Sequence, residues 1–295
     1  IQYDFRKCVD FVYNLNGNEE LKCDKLILAI GHSSRDTYEM LYKKGFSMQQ
    51  KAFAAGVRIE HKQSFINELQ YGGNYEEYKL PAAPYRIVYN GKDRSCYSFC
   101  MCPGGIVVNA SSEDGGLAVN GMSNFARDGE NANSALVVNV KPEDFGGSSP
   151  LAGVEFQRKY EKLAYEISGG YKAPVQLAKD FVKGKVSDSF DGVVPSFTGE
   201  TVFADLRKCL PEFISDTLKD ALINFENKMT GFVSSGSVLT GIETRTSAPL
   251  RILRGEDGQA LNIKGVYPAG EGAGYAGGIM SAAIDGIRIA EKLVN

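Results

Sequence analysis

Two cysteines one residue apart, a histidine closing an apolar run, and an acid set among five glycines are the features whose types and spacing bear chemistry. Cys100 and Cys102 flank Met101, with Cys96 four residues earlier and Pro103-Gly104-Gly105 directly after. A thiol of lowered pKa attacks substrates, exchanges with disulfides or pairs with an oxidising ring, and glycine N–H groups nearby would stabilise a thiolate. A disulfide across a single residue would be strained. Zinc needs four ligands, and three clustered cysteines without an adjacent histidine do not supply them, so no metal is expected. Against the reactive reading of Cys100 and Cys102 stands that of buried, inert thiols.

His32 follows Ile30-Gly31, where a strand ending in glycine brings backbone to the carboxyl edge of a sheet. There an imidazole can hydrogen-bond a cofactor or move a proton near neutral pH; a capping or loop histidine is the plain alternative. Near the other end stands Gly270-Glu271-Gly272-Ala273-Gly274-Tyr275-Ala276-Gly277-Gly278-Ile279. Strand, glycine loop with acid, and small-residue helix follow in succession. This order delivers N–H groups and a helix N-terminus to an electron-rich ligand edge. The glycines are read as removing side chains that would hold a flat ligand away, and Glu271 as accepting hydrogen bonds from ligand hydroxyls.

Arg58, Glu60 and His61 form a polar row on a strand, where alternation puts Arg58 and Glu60 on one face and His61 on the other. Arg245, in Glu243-Thr244-Arg245-Thr246-Ser247-Ala248-Pro249, carries a guanidinium suited to planar anions. Arg58 and Arg245 are therefore candidate substrate contacts. An internal salt bridge, to an acid such as Glu243, is the competing use of Arg245.

The elements that must position these groups are legible from pattern. Residues 8–13 read as a strand, Asn16-Gly17-Asn18 as a hairpin turn, and the apolar run 25–31 as a strand covered on both faces. Helical spacing over 36–44 ends at Gly45. From 53 onward short strands (56–60, 105–108, 135–140) alternate with glycine-rich turns, and helices are expected at 154–168, 175–183 and 213–227. A strand at 263–269 and a helix at 279–293 close the chain. The expected fold is α/β: a partial Rossmann-like domain (1–52 and 246–295) interrupted by an inserted α+β domain (53–245), with the strands from both ends in one sheet.

Composition narrows the function. Of 295 residues, 43% are apolar and 23% charged, and the net charge of −3 gives no pull toward nucleic acid or anionic membrane. Two histidines argue against a His-rich metal site, and no apolar run reaches the length of a membrane span. The cysteines, in a chain this long, are expected to be reduced, in a cytoplasmic setting. The first residue is Ile1, which suggests a fragment or a processed product.

The stretch from Gly270 to residue 284 resembles the carboxy-terminal flavin motif of a bacterial group of FAD-dependent, or NAD(FAD)-utilizing, dehydrogenases. Leu28-Ala29-Ile30-Gly31-His32-Ser33-Ser34-Arg35-Asp36-Thr37 is similar to that group's second flavin segment. Arg58-Ile59-Glu60-His61, Phe99-Cys100-Met101-Cys102-Pro103-Gly104-Gly105, Pro150-Leu151-Ala152-Gly153-Val154 and the block around Arg245 also match. The resemblance spans essentially the whole chain and implies FAD and an oxidoreductase role. It also implies a strand–GxGxxG–helix unit for the pyrophosphate, which the sequence lacks in a usable context.

The expectation is a flavoprotein passing hydride between NAD(P)H or an organic substrate and flavin. Gly31, His32 and residues 270–279 would bed the ring, the inserted domain would close over it, and Cys100, Cys102 and His32 would take part. A non-catalytic flavin scaffold and a flavin-dependent RNA-modifying enzyme are the alternatives; balanced charge opposes the last.

Overall fold

A computed structural model describes residues 10–13 and 19–294. Cys8 and the expected turn at Asn16-Gly17-Asn18 lie outside the described residues, while Asp10–Tyr13 and Glu19–Lys22 pair antiparallel. The protein is mixed α/β, and its chain forms two compact units. The first gathers Ile1–Phe53, Lys141–Phe156 and Thr246–Asn295; the second gathers Ala54–Val140 and Gln157–Arg245. The segment Lys141–Phe156, read from sequence as part of the middle domain, falls in the first unit.

In the first unit, Leu26–Leu28 pairs parallel with Val266–Pro268 in the register Leu26 to Val266 and Leu28 to Pro268. Both strands are short and apolar, and each leads into glycine, which lets the chain turn away at one end. A second ladder joins Met48–Gln50 to Leu250–Ile252, antiparallel. The helix Arg35–Lys43 turns Tyr38 and Leu41 inward and stops where Gly45 takes φ +83. Tyr38, Leu41, Phe46, Leu250, Ile252, Ile263 and Val266 form one buried cluster, each large apolar side chain contributing about 1.5–3 kcal/mol by leaving water. The strand near 25–31 is not covered on both faces as expected, since Ile27 is 47% exposed.

The last helix, Ile279–Val294, buries Asp285 and Ile289. Its outer side is apolar too: Met280, Ile284 and Ile287 are exposed at near-heptad spacing, Met280 by 74%.

The second unit is organised on a seven-stranded sheet. Its order is Thr201–Phe203, Ala173–Leu177, Val238–Glu243, Phe53–Lys62, Asn131–Val140, Ser95–Cys102, Val88–Asn90. Ala173–Leu177 runs parallel to Thr201–Phe203 and antiparallel to Val238–Glu243. The central strands Phe53–Lys62 and Asn131–Val140 are buried almost throughout, as sheet positions covered on both faces require. A hairpin, Gly105–Asn109 with Val119–Ser123, and the helices Gln63–Tyr71 and Glu212–Lys228 accompany it.

The helix expected at 175–183 is corrected. Ala173–Leu177 is a fully buried strand, and only Ala178–Lys183 is helical, ending at Gly184 in the left-handed region. A short apolar run is ambiguous in period, and here the β-branched Val175 with sheet neighbours on both sides decides for strand.

Candidate functional site

In the first unit the parallel pair positions the site. Its strands run the same way, so the turn after Leu28 and the loop after Pro268 leave at the same, carboxyl, end. Ala269 N–H extends the ladder by donating to Leu28 O at 3.0 Å. Beyond it the two turns touch. The Tyr38 hydroxyl reaches the carbonyls of Gly31 at 3.1 Å and Gly272 at 2.8 Å, and burial, followed by nearby Glu271, raises its pKa, so it stays a donor. His32 Nδ1 lies 3.3 Å from Glu271 Oε1, both side chains part-open to solvent.

The loop glycines separate into two kinds. A side chain on Gly272 would collide with the backbone of Gly31, and one on Gly274, at φ +82, with the backbone of Leu250 and Arg251. Their role is to admit protein backbone, which corrects the expectation that every glycine clears space for a ligand. Gly277 and Gly278 differ: a side chain there would meet nothing within 4 Å. They sit at the mouth of the helix Ile279–Val294, whose first turn holds no acid. Gly277 N–H donates to Ser281 Oγ at 3.2 Å. Ile279 is exposed, and Ala276 is buried.

Residues not singled out from sequence hold this loop. Arg254 bonds both oxygens of Asp285, at 2.5 and 2.9 Å, and Pro268 O at 2.8 Å. Gly270 N–H donates to Asp285 at 2.7 Å. Burial would raise the Asp285 pKa, but Arg254 and this N–H lower it. Tyr275 lies under two guanidinium groups, Arg254 at 3.6 Å and Arg251 at 4.9 Å from its ring centroid, and its hydroxyl accepts from Arg254 N–H at 3.1 Å. No pattern in the sequence marks Arg254 and Asp285, 31 residues apart, as partners.

The groups suit a flat ligand with an electron-rich edge and hydroxyls. Gly31, His32, Glu271, Gly277 and Gly278 offer part-open backbone and one acid acceptor, and the helix N-terminus adds positive potential. These residues fit the ring side of a flavin.

The remaining candidates belong to the second unit. Cys100 is exposed and takes φ +47 in Ser95–Cys102, where the pairing with Asn131–Val140 shifts register. It borders a surface cavity of about 520 Å³ with Arg86, Ser98 and Met101. Cys102 is buried; its pKa is raised by burial, with Arg58 opposing. That environment favours the neutral thiol over a nucleophilic thiolate.

Arg58 is fully buried. It bonds Glu243 at 2.5 and 3.2 Å, Asn133 and Asn120 at 2.9 Å, and the carbonyl of Cys100 at 2.9 Å. Burial acts against charge on both partners, raising Glu243 despite the guanidinium, while for Arg58 the carboxylate outweighs burial and its pKa is raised. Arg245 pairs with Glu161 at 2.8 Å, and with Ser112, rather than with Glu243. Both guanidinium groups, read from sequence as substrate contacts, are thus matched by carboxylates inside the protein. Glu60 and His61 lie on opposite sides of their strand. Glu60 accepts from Asn131 and Ser196, and His61 donates from Nε2 to Phe232 O at 2.7 Å.

Among the described residues no group of three or more His, Cys, Asp or Glu is placed to hold a metal ion, and no helix is long and apolar enough to cross a membrane. A model of the FAD-dependent protein, C-terminal domain-like family matches residues 52–246. An uncharacterized protein of Clostridium beijerinckii (strain ATCC 51743 / NCIMB 8052) is 56% identical over 283 residues. That match takes in 95% of this chain and 53% of the relative, so the chain spans about half the relative's length.

Proposed function

Because the chain belongs to the FAD-dependent protein family, C-terminal domain-like, we propose that it carries the ring side of an FAD site in a NAD(FAD)-utilizing oxidoreductase. The observation that carries this reading is the parallel pair Leu26–Leu28 and Val266–Pro268, whose two following turns meet at one carboxyl end. Ligands of open α/β sheets bind outside that end, and the partial sheet is in that sense Rossmann-like, interrupted between its strands by the second unit.

Flavin, when bound, supplies the hydride-accepting chemistry, with NAD(P)H or an organic substrate as donor. The residues of this chain bind and orient. Glu271 accepts from ribityl hydroxyls, and His32, 3.3 Å away, fixes its carboxylate. Tyr38 ties the two turns together. Gly277 and Gly278 let the ligand approach the helix N-terminus, where negative charge is stabilised by the helix dipole. Cys100, exposed and held by Arg58 through its carbonyl, is the thiol open to substrate. A cytoplasmic setting would keep it reduced.

The GxGxxG unit for the pyrophosphate is assigned to polypeptide outside these residues. The exposed Ile27, Met280, Ile284 and Ile287 support this, as does the half of the relative that the match leaves out. The test is to mix the complete protein with NADH anaerobically and follow the flavin absorption band. Bleaching is expected; absence of both bound flavin and bleaching would defeat the reading.

A further inference from the structure

Two cations stand beside the glycine loop without a part in the reading above. Lys51 directly follows Met48–Gln50, and Arg251 is the middle residue of the antiparallel partner Leu250–Ile252. Lys51 N–H donates to Pro249 O at 3.0 Å, which fixes its place beside that strand. The same strand is stitched to the loop: Ile252 N–H donates to Ala273 O at 3.1 Å, and Arg251 Nε to Gly274 O at 3.2 Å.

Among the described residues, neither cation has an acid to itself. Among the described residues the half-buried Lys51 ammonium reaches the Ser247 hydroxyl at 3.4 Å and the carbonyls of Ala248 and Ala52 at 3.3 and 3.5 Å. These are long contacts for a charged donor, which normally approaches to about 2.7–2.9 Å. Arg251 spends its Nε on Gly274 O and lies over Tyr275. Among the described residues, neither forms an ion pair with a carboxylate. Glu271, the acid whose field reaches Lys51, is already 3.3 Å from His32.

The Lys51 pKa is lowered by burial and then by Arg251, with Glu271 opposing. Arg251 pairs with Gln49, so Lys51, two residues on, lies on the same face of the ladder as Arg251. Two like charges on one partly buried face repel each other, and a bound anion relieves both the repulsion and the lost hydration.

We propose that Lys51 and Arg251 form an oxyanion subsite at the edge of the glycine loop, placed to take one delocalised negative oxygen group. Two sources carry that chemistry: the oxygen-bearing ring edge of reduced flavin, and a carboxylate or phosphate on the substrate. The first rests on the flavin reading of the loop, while the subsite itself does not.

The variants are Lys51→Met, which keeps the chain length and removes the charge, and Lys51→Arg, which restores it. In one arm, thermal melts are recorded with inorganic phosphate and with acetate, and need no flavin. The native protein and Lys51→Arg should be stabilised by the anion, with Lys51→Met requiring about tenfold more of it. In the other arm the bound flavin is titrated reductively. If the ring edge is the occupant, Lys51→Met disfavours the reduced form about tenfold, or about 30 mV for a two-electron couple, and Lys51→Arg recovers it. A weakened anion response at unchanged potential assigns the subsite to the substrate. Equal anion response and equal potential in Lys51→Met, in a variant that melts like the native protein, would overturn the proposal. A native protein that binds no flavin would remove the functional reading and leave the anion arm to decide the subsite.

Discussion

His32 Nδ1 and Glu271 Oε1 lie 3.3 Å apart, joining the turn after the first strand of the parallel pair to the loop after the second. The pairing is possible because Gly272 lets the loop backbone lie against that of Gly31. A polar pair, a close backbone crossing and the Tyr38 hydroxyl thus act at one junction, and the junction is where ligand atoms would meet protein.

Gly272→Ala should destabilise the protein, by about 2–4 kcal/mol, since a side chain must force two backbones apart. Gly277→Ala should change stability by less than about 1 kcal/mol, because its side chain enters open space. Thermal melts of the two variants check the contrast, and equal losses would show that the glycines do not divide in this way.

Breaking the Arg58–Glu243 pair from one side should be costly. Arg58→Met leaves the Glu243 carboxylate buried and takes one donor each from Asn133, Asn120 and Cys100 O, for a loss of about 3–5 kcal/mol. Removing both charges in Arg58→Met with Glu243→Met should cost clearly less than the sum of the single changes. Denaturant unfolding of the four proteins measures the coupling.

Acid stability should report His61. Its ring is buried between Phe232, Phe65 and Tyr85, Nε2 donates to Phe232 O, and Nδ1 makes no hydrogen bond among the described residues. Burial pushes its pKa down from 6.5 to about 4, with the Phe232 bond opposing. Between those values the unfolded chain binds a proton that the folded chain refuses, so stability falls as pH drops through the window, by about 3 kcal/mol. Glu60, raised by burial, works with the opposite sign and is kept in both proteins compared. His61→Gln should therefore flatten the loss between pH 6.5 and 4, and an unchanged pH profile would place the proton elsewhere.

Thiol labelling should separate the two neighbouring cysteines. Cys100 is exposed and Cys102 is buried with a raised pKa, so a maleimide should modify Cys100 at least about tenfold faster. In Cys100→Ser, labelling of that peptide should wait for unfolding. Rapid modification of Cys102 in the variant would contradict its placement.

How much of this was legible in the sequence follows from the range of the signals. The runs ending in Gly31 and Gly270 are continuous, apolar and closed by glycine, so both strands of the parallel pair can be read, and the helix at Ile279–Val294 shows its spacing plainly. Residues 175–177 read as helix in the sequence because a short apolar run looks alike in either period, and the neighbouring strands that settle it come from residues 201–203 and 238–243. Arg245 shows the same limit: nearby Glu243 looked like its partner, but Glu243 serves Arg58, and Arg245 takes Glu161 across 84 residues. The loop glycines all look alike in sequence, and only the backbone each one faces tells packing from open space. Lys51 and Arg251 carry no motif at all; a ladder between remote segments brings them to the loop.

Fluorescence titration of FAD against the complete protein and its Glu271→Ala, Gly278→Val and Cys100→Ser variants tests the flavin bed most directly. Saturable quenching is expected with the native protein, weakened about tenfold or more in Glu271→Ala and Gly278→Val, and unchanged in Cys100→Ser. FAD affinities equal to native in both loop variants, with their melts intact, would mean that the flavin does not lie on this loop.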